Sequence, residues 1–300
     1  MAPQHKVPQA MMGPAELLQF ALSGLTVGSI YALIALGFAV MMNATALLNF
    51  AQGQFVMLGG VMAAILTSQH GWHVAASIIF TVAIVAGISG ICERVFVVGA
   101  WRADRLSKEL VTMGVGIIIE SVVLLAWGAD AYSLPYFSGS ASIAIGPATL
   151  PSQAVWIMSV SVLAMTSLLV FYRYTIHGQA MLACSMNREA ASLMGIRPGT
   201  VATMSFVLGG GFGALGGVLV APLVPMSFSV GLAMSIKGFA ALVVGGMGSI
   251  PGAIVGGLAI GLVEAFCAGL LSSVWKEIVP MALIIVMLLV RPKGLLGGRS

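Results

Sequence analysis

The chain has 300 residues, 7% of them charged and 59% hydrophobic, with a mean hydropathy of +1.07 and a formal net charge of +4. A soluble domain carries about 25% charged residues, so this balance excludes a water-soluble enzyme and defines a polytopic membrane protein. The basic excess does not indicate nucleic acid, because ten of the 13 Lys and Arg lie in three short segments: Arg94, Arg102, Arg105 and Lys108, then Arg173, Arg188 and Arg197, then Arg291, Lys293 and Arg299. Bases gathered in this way mark the cytoplasmic loops that orient a membrane protein.

Residues 1–16, with Pro3, Pro8 and Pro14, read as an uncleaved N-terminal tail, and residues 17–300 as a single transmembrane domain. Between Leu17 and Cys92 there is no Asp, Glu, Lys or Arg. A span needs about 20 apolar residues, so this stretch holds two to three passes, near 17–42, 47–66 and 74–92. Three passes would place the N-terminus outside, whereas Lys6 favours the inside and two passes. A broken segment around Asn49, Gln52 and Gln54 would reconcile them, since irregular backbone survives at hydrocarbon depth only when enclosed by protein or lining a cavity.

The first basic loop follows, at 93–109. An apolar run at 110–127 leads to a loop at 128–152 with one acid, Asp130, no base, and the aromatics Tyr132, Tyr136 and Phe137. This loop is expected outside. It is a candidate contact for a partner, although an interfacial aromatic belt explains the same residues. The run at 155–172 then returns to a polar island within the cytoplasmic loop 173–199. Here residues 187–195 read as a short helix: Asn187 caps it, Glu189 lies in its positive first turn, and Gly195 with Pro198 ends it. Ala190, Leu193, Met194 and Ile196 give it an apolar face suited to a groove on another protein.

Residues 201–290 have room for four more passes. A second glycine-rich interruption is read at 243–257, with Gly245, Gly246 and Ser249. Paired interruptions in the two halves are the sign of an inverted repeat with a pathway between them, so Asn49, Gln52 and Gln54 are expected to face Gly245, Gly246 and Ser249. Glycines spaced by four, at 24 and 28, 209, 213 and 217, 252 and 256, and 257 and 261, also read as ridges for close helix packing. The fold class is therefore all-α, a bundle of about 8–9 spans with interrupted segments and an inverted repeat.

Three ionisable residues fall within apolar runs: Glu120, Lys237 and Glu264. Such groups are functional candidates, yet Lys237 and Glu264 can also pair with each other, and Glu120 reads as lying towards the first-loop side of its run. Cys92, Cys184 and Cys267 lack metal-site spacing, and His5, His70, His73 and His177 are scattered. No phosphate loop, zinc-protease or nucleophile-elbow motif is present, so neither catalytic residue, metal nor cofactor is expected.

The run at 24–42, GLTVGSIYALIALGFAVMM, followed by LLNFAQGQFVMLGG, closely resembles the opening of permeases from branched-chain amino-acid ABC importers. The resemblance continues through EAASLMGI, through IKGFAALVVGGMGSIPGAIVGGLAIGLVEA and to RPKGLLG. It implies that Arg188, Glu189, Ala190, Ala191 and Gly195 belong to the helix that contacts the ATPase. It further implies two cytoplasmic ATPase subunits, a second permease chain, a periplasmic solute-binding protein, an amino-acid substrate and the inner membrane of a bacterium. Gln54 stands where these permeases commonly have Glu, and the first basic loop departs from their usual arginine-rich pattern. A secondary carrier and a passive channel remain the alternatives; the first should show coupling carboxylates, and neither needs the 187–195 helix.

Overall fold

The computed structural model describes residues 13–97, 104–139, 141–270 and 275–297. Most of the N-terminal tail, Arg102 of the first basic loop and Arg299 lie outside them. Eleven α-helices follow in order: α1 Pro14–Thr45, α2 Gln52–Ser68, α3 Val74–Cys92, α4 Arg105–Trp127, α5 Ser152–Tyr174, α6 Ile176–Met186, α7 Arg188–Leu193, α8 Pro198–Val220, α9 Val230–Gly245, α10 Ile250–Leu270 and α11 Trp275–Val290. Six are long and apolar enough to cross a membrane, and α2, α9 and the last turns of α11 form three shorter apolar helices.

Local chemistry sets the boundaries. Pro14 and Pro198 sit in the first turns of α1 and α8, where a missing N–H costs nothing. Asp104 caps α4 by accepting from the Ser107 N–H, and Thr175 caps α6 by accepting from the Gly178 N–H. Polar caps thus stand where the chain leaves the apolar runs.

Glycine ridges decide how the helices approach. A Cβ at Gly24 would lie 2.8 Å from Leu262 Cα, and one at Gly28 would lie 2.9 Å from Leu258 Cα, so α1 and α10 touch backbone to backbone and run antiparallel. Gly37 meets Gly209, and Gly216 lies beside Ile34, which makes α1 and α8 antiparallel as well. Lipid tails provide no hydrophobic drive between apolar helices, and close packing of this kind holds them together instead.

These registers fix depth and direction. Gln52, at the start of α2, lies against Gly209 and Gly213, midway along α8, so α2 begins in the middle of the bundle. Gly231 and Ser235 of α9 lie against Gly53 and Gln54, so α9 begins at the same depth, whereas Gly246 against Gly297 and Lys293 shows that it runs the other way, to the basic C-terminal segment. The helices α1, α2 and α3 are therefore matched by α8, α9 and α10 in the opposite sense: α3 packs on α8 as α10 packs on α1. The inverted repeat expected from sequence is present, with six full-length apolar helices and three shorter ones among the described residues.

One end of the bundle gathers the α4–α5 loop, in which strands β1 Ser142–Ile145 and β2 Ala148–Pro151 form an antiparallel hairpin. Thr149 N–H donates to Gln19 Oε1, Ser68 Oγ donates to the Ser133 carbonyl, and Tyr132 exchanges both backbone bonds with Met226. The opposite end carries Arg173, Arg188, Arg197, Arg291 and Lys293 and is the cytoplasmic one by the positive-inside rule. α1 starts on the hairpin side, where Gln19 meets Thr149, as three passes before Glu93 require; Lys6, which favours the inside, lies outside the described residues. An impermeant thiol reagent should label Glu16→Cys and Ser138→Cys from outside intact cells and spare Ser185→Cys; labelling of Ser185→Cys alone would invert this topology.

Candidate functional site

The break before α2 is built from backbone that leaves the helix at depth. Ala46 takes a left-handed conformation (φ 56°), the one positive φ outside glycine among the described residues, and ends α1. Every N–H freed there needs a partner, because hydrocarbon supplies none. Leu47 N–H donates to Thr45 Oγ1 (3.2 Å), Leu48 N–H to Glu109 Oε1 (3.3 Å), Phe50 N–H to Thr112 Oγ1 (3.0 Å) and Ala51 N–H to Asn49 Oδ1 (3.1 Å). Glu109 and Thr112 belong to α4. With Gly116 and Glu120 they recur every three or four residues, a polar stripe on one face of an apolar helix.

The start of α2 meets the start of α9. Gly53 N–H donates to Ser235 Oγ (2.9 Å), and Gly231 lies so close to the Gln54 amide that a side chain there would collide with it. Gln52 Nε2 donates to the Gly209 carbonyl (3.0 Å) and Gln54 Nε2 to Glu120 Oε2 (3.1 Å). Both glutamines are buried, and the Oε1 of each has no hydrogen-bond partner among the described residues. Beside this junction lies a cleft of about 370 Å³ bounded by α1, α2, α4 and α9, with Phe38, Gln54, Glu120, Ser235 and Phe239 on its walls.

Other expected site residues fall elsewhere. Asn49 is enclosed and its amide is consumed locally, Oδ1 by the Ala51 N–H and Nδ2 by Met41 Sδ at 3.1 Å. Gly245, Gly246 and Ser249 are not opposite the glutamines: they form the α9–α10 turn at the cytoplasmic end, where Leu296 N–H donates to the Gly245 carbonyl, Gly246 lies against Gly294 and Gly297, and Ser249 Oγ accepts from the Gly252 N–H. The second interruption is instead 221–229, with Pro222 and Pro225, which carry no N–H to continue a helix.

Glu120 is also corrected. The helix starts at Arg105, so the carboxyl lies 15 residues, about 22 Å, from the cytoplasmic end of α4. Lys237 and Glu264 do pair. Lys237 Nζ stands 3.1 Å from Glu264 Oε1, Tyr31 Oη donates to Glu264 Oε2 (2.8 Å), and the ammonium lies 5.6 Å from the centre of the Tyr31 ring. Both charges are almost fully enclosed, at 5% and 3% exposure. An unpaired charge at such depth costs roughly 3 kcal/mol or more, and this triad of α9, α10 and α1 removes that cost while tying three helices together. Of the residues missed by sequence reasoning, Tyr31, Thr112 and Ser235 are polar groups in apolar runs and Glu109 ends the first basic loop as read from sequence; the period of the α4 stripe was the available signal.

On the cytoplasmic side, the Asn187 side chain accepts from the Glu189 and Ala190 N–H groups (3.1 and 3.0 Å), and Gly195 takes φ +85° just beyond α7. Ala191 is buried, whereas Leu193 and Met194 are 89% and 84% exposed. Sequence reasoning found this helix and its cap but not α6, which precedes it inside the same polar loop. In α6, burial pushes the Cys184 thiol up from its ordinary range, consistent with a packing residue.

A pseudo-symmetric bundle with two interrupted segments meeting at mid-depth defines a membrane permease. A model of the family described as the branched-chain amino acid transport system permease component matches residues 20–288. The high-affinity branched-chain amino acid transport system permease protein LivH of Escherichia coli K12 is 36% identical over an alignment covering 93% of this chain and 95% of that protein. BraD of Pseudomonas aeruginosa, a permease protein of the same description, is 32% identical over the same shares. The chain belongs to this permease family and is a multi-pass protein of the inner membrane.

The buried triad makes a stability prediction. Lys237→Met alone strands the Glu264 carboxylate and should cost about 3–5 kcal/mol in unfolding of the detergent-solubilised protein. Adding Glu264→Leu should recover most of that loss. A double variant no better than the single one would show that the pair is not coupled.

Proposed function

We propose that the chain translocates branched-chain amino acids across the inner membrane as the permease of an ATP-driven importer, in which ATP is hydrolysed by two separate cytoplasmic subunits. A second permease chain completes the membrane unit, and a periplasmic solute-binding protein delivers the substrate. The family match along nearly the whole chain carries this reading. The absence of a phosphate-loop motif from the sequence agrees with an energy source on another chain. A gradient-driven carrier is less well supported, because it has no need of the capped cytoplasmic helix α7.

Coupling is assigned to α7, with Arg188, Glu189, Ala190, Ala191 and Gly195. Its support is the exposed Leu193 and Met194 beside the charged Arg188 and Glu189 on a helix that is capped at one end and stopped by a left-handed glycine at the other. An apolar anchor with a charged rim on a short rigid helix fits a cleft of a partner protein. Passage is assigned to the junction of α2 and α9, with Gln52 and Gln54 and their unpartnered amide oxygens.

In proteoliposomes holding the complete importer, Glu189→Lys or Gly195→Asp should abolish L-leucine uptake and loosen co-purification of the ATPase while membrane insertion persists. Wild-type uptake in both variants would remove α7 from the coupling role. Gln52→Ala should slow uptake with the ATPase still bound; unchanged uptake would return Gln52 to a packing role on Gly209.

A further inference from the structure

Glu120 and Glu264 both lie well inside membrane-spanning helices, and their surroundings differ. Glu264 has a lysine and a tyrosine hydroxyl against its two oxygens. Glu120 has neither: its one hydrogen bond is from the Gln54 amide, on Oε2, and the only ion pairs among the described residues are Arg105 with Glu109 and Lys237 with Glu264. A carboxylate at this depth without a cation beside it is costly, and residues that accept such a cost face a pathway or a ligand. Glu120 faces the cleft. So does Gln54, which is 93% buried by its 7% exposure and whose Oε1 is unpartnered.

From this geometry we propose that Glu120 and Gln54 form an ammonium-binding subsite of the cleft, which receives the α-amino group of a passing amino acid. The inference rests on the transport reading above and adds to it the residues that recognise the substrate. An ammonium carries three donors; Glu120 Oε1 has no protein donor, and the Gln54 amide holds the carboxylate in place through Oε2 (3.1 Å). The opposite wall is apolar, with Phe38 and Phe239 packed edge to face (centroids 6.3 Å apart) and Leu232 and Ile236 on α9. A branched aliphatic side chain therefore meets hydrocarbon while its ammonium meets the Glu120 carboxylate. Between them, Ser235 accepts from the Gly53 N–H and still has its hydroxyl hydrogen to donate to the substrate carboxylate. Cleft volume agrees with a small ligand, since sites of this kind span about 300–1,000 Å³. Gly116 lines the cleft, and Gly231 lies behind it against the Gln54 amide, where a Cβ would displace the amide itself.

The test uses the assembled importer with its three native cysteines replaced by alanine and Met113→Cys on the cleft wall as a thiol reporter. L-leucine and isoamylamine, which carry the ammonium, should protect the thiol from a maleimide, whereas 4-methylpentanoate, which lacks it, should not. Glu120→Gln should raise the half-protecting concentration of both amines about tenfold or more, the loss of one charge-assisted hydrogen bond, and Glu120→Asp should retain the preference for amines. Equal protection by 4-methylpentanoate, no protection by either amine, or undiminished protection in Glu120→Gln overturns the proposal. Should Glu120→Gln fail to assemble, the amine preference of the Met113→Cys parent decides alone. If the parent takes up no L-leucine yet isoamylamine protects, the branched-chain reading falls and the ammonium subsite stands. If L-leucine uptake is normal in Glu120→Gln and protection ignores the ammonium, the reverse holds.

Discussion

The fold depends on how one stretch of non-helical backbone is satisfied at hydrocarbon depth. Residues 46–51 leave α1 and surrender the i→i−4 bonds that make a membrane helix self-sufficient, and the chain supplies side-chain oxygens from Thr45, Asn49, Glu109 and Thr112 in their place. Leaving one such donor bare in lipid would cost several kcal/mol, so α4 must dock where it does for α2 to start where it does. In the second half, 221–229 is satisfied differently. Tyr132 of the external loop exchanges two backbone bonds with Met226, and Leu134 N–H donates to the Ala221 carbonyl. The hairpin-bearing loop is thus a structural partner of the second break.

Once both breaks are secured, the two shorter helices α2 and α9, of 17 and 16 residues, start against each other and point away from each other. Their junction is narrow because glycine lines it. Gly53, Gly209, Gly213 and Gly231 bring backbone against the Gln52 and Gln54 amides, and amides held at van der Waals contact leave oxygen atoms for which the protein has no donor. Glu120 stands just to the side of that junction, hydrogen-bonded to Gln54, while the Lys237, Glu264 and Tyr31 triad locks the helices that frame it.

Much of this was legible in the sequence. The charge-free run to Cys92 implied several passes, the basic clusters implied their orientation, the glycine spacings implied close packing, and Asn187 with Gly195 delimited a short helix. The break at Asn49 was found because amides and a glycine interrupt hydrocarbon. Its counterpart was sought in the wrong place, at 243–257, because glycine was read as a breaker there. In this bundle glycine mainly permits contact, as at Gly252 and Gly256 against α9, and the true break carries Pro222 and Pro225, which remove N–H donors. Partners such as Tyr31 for Glu264 are separated by 233 residues and arise only from tertiary packing.

The central claim is that α2 and α9 begin against each other in the middle of the membrane. Disulfide formation between Gln54→Cys and Gly231→Cys tests it most directly, because removal of the Gln54 amide opens the space that a side chain at 231 needs. The structure predicts rapid cross-linking of this pair by a membrane-permeant oxidant and none between Gln52→Cys and Gly246→Cys. Cross-linking of the second pair with none in the first would contradict it.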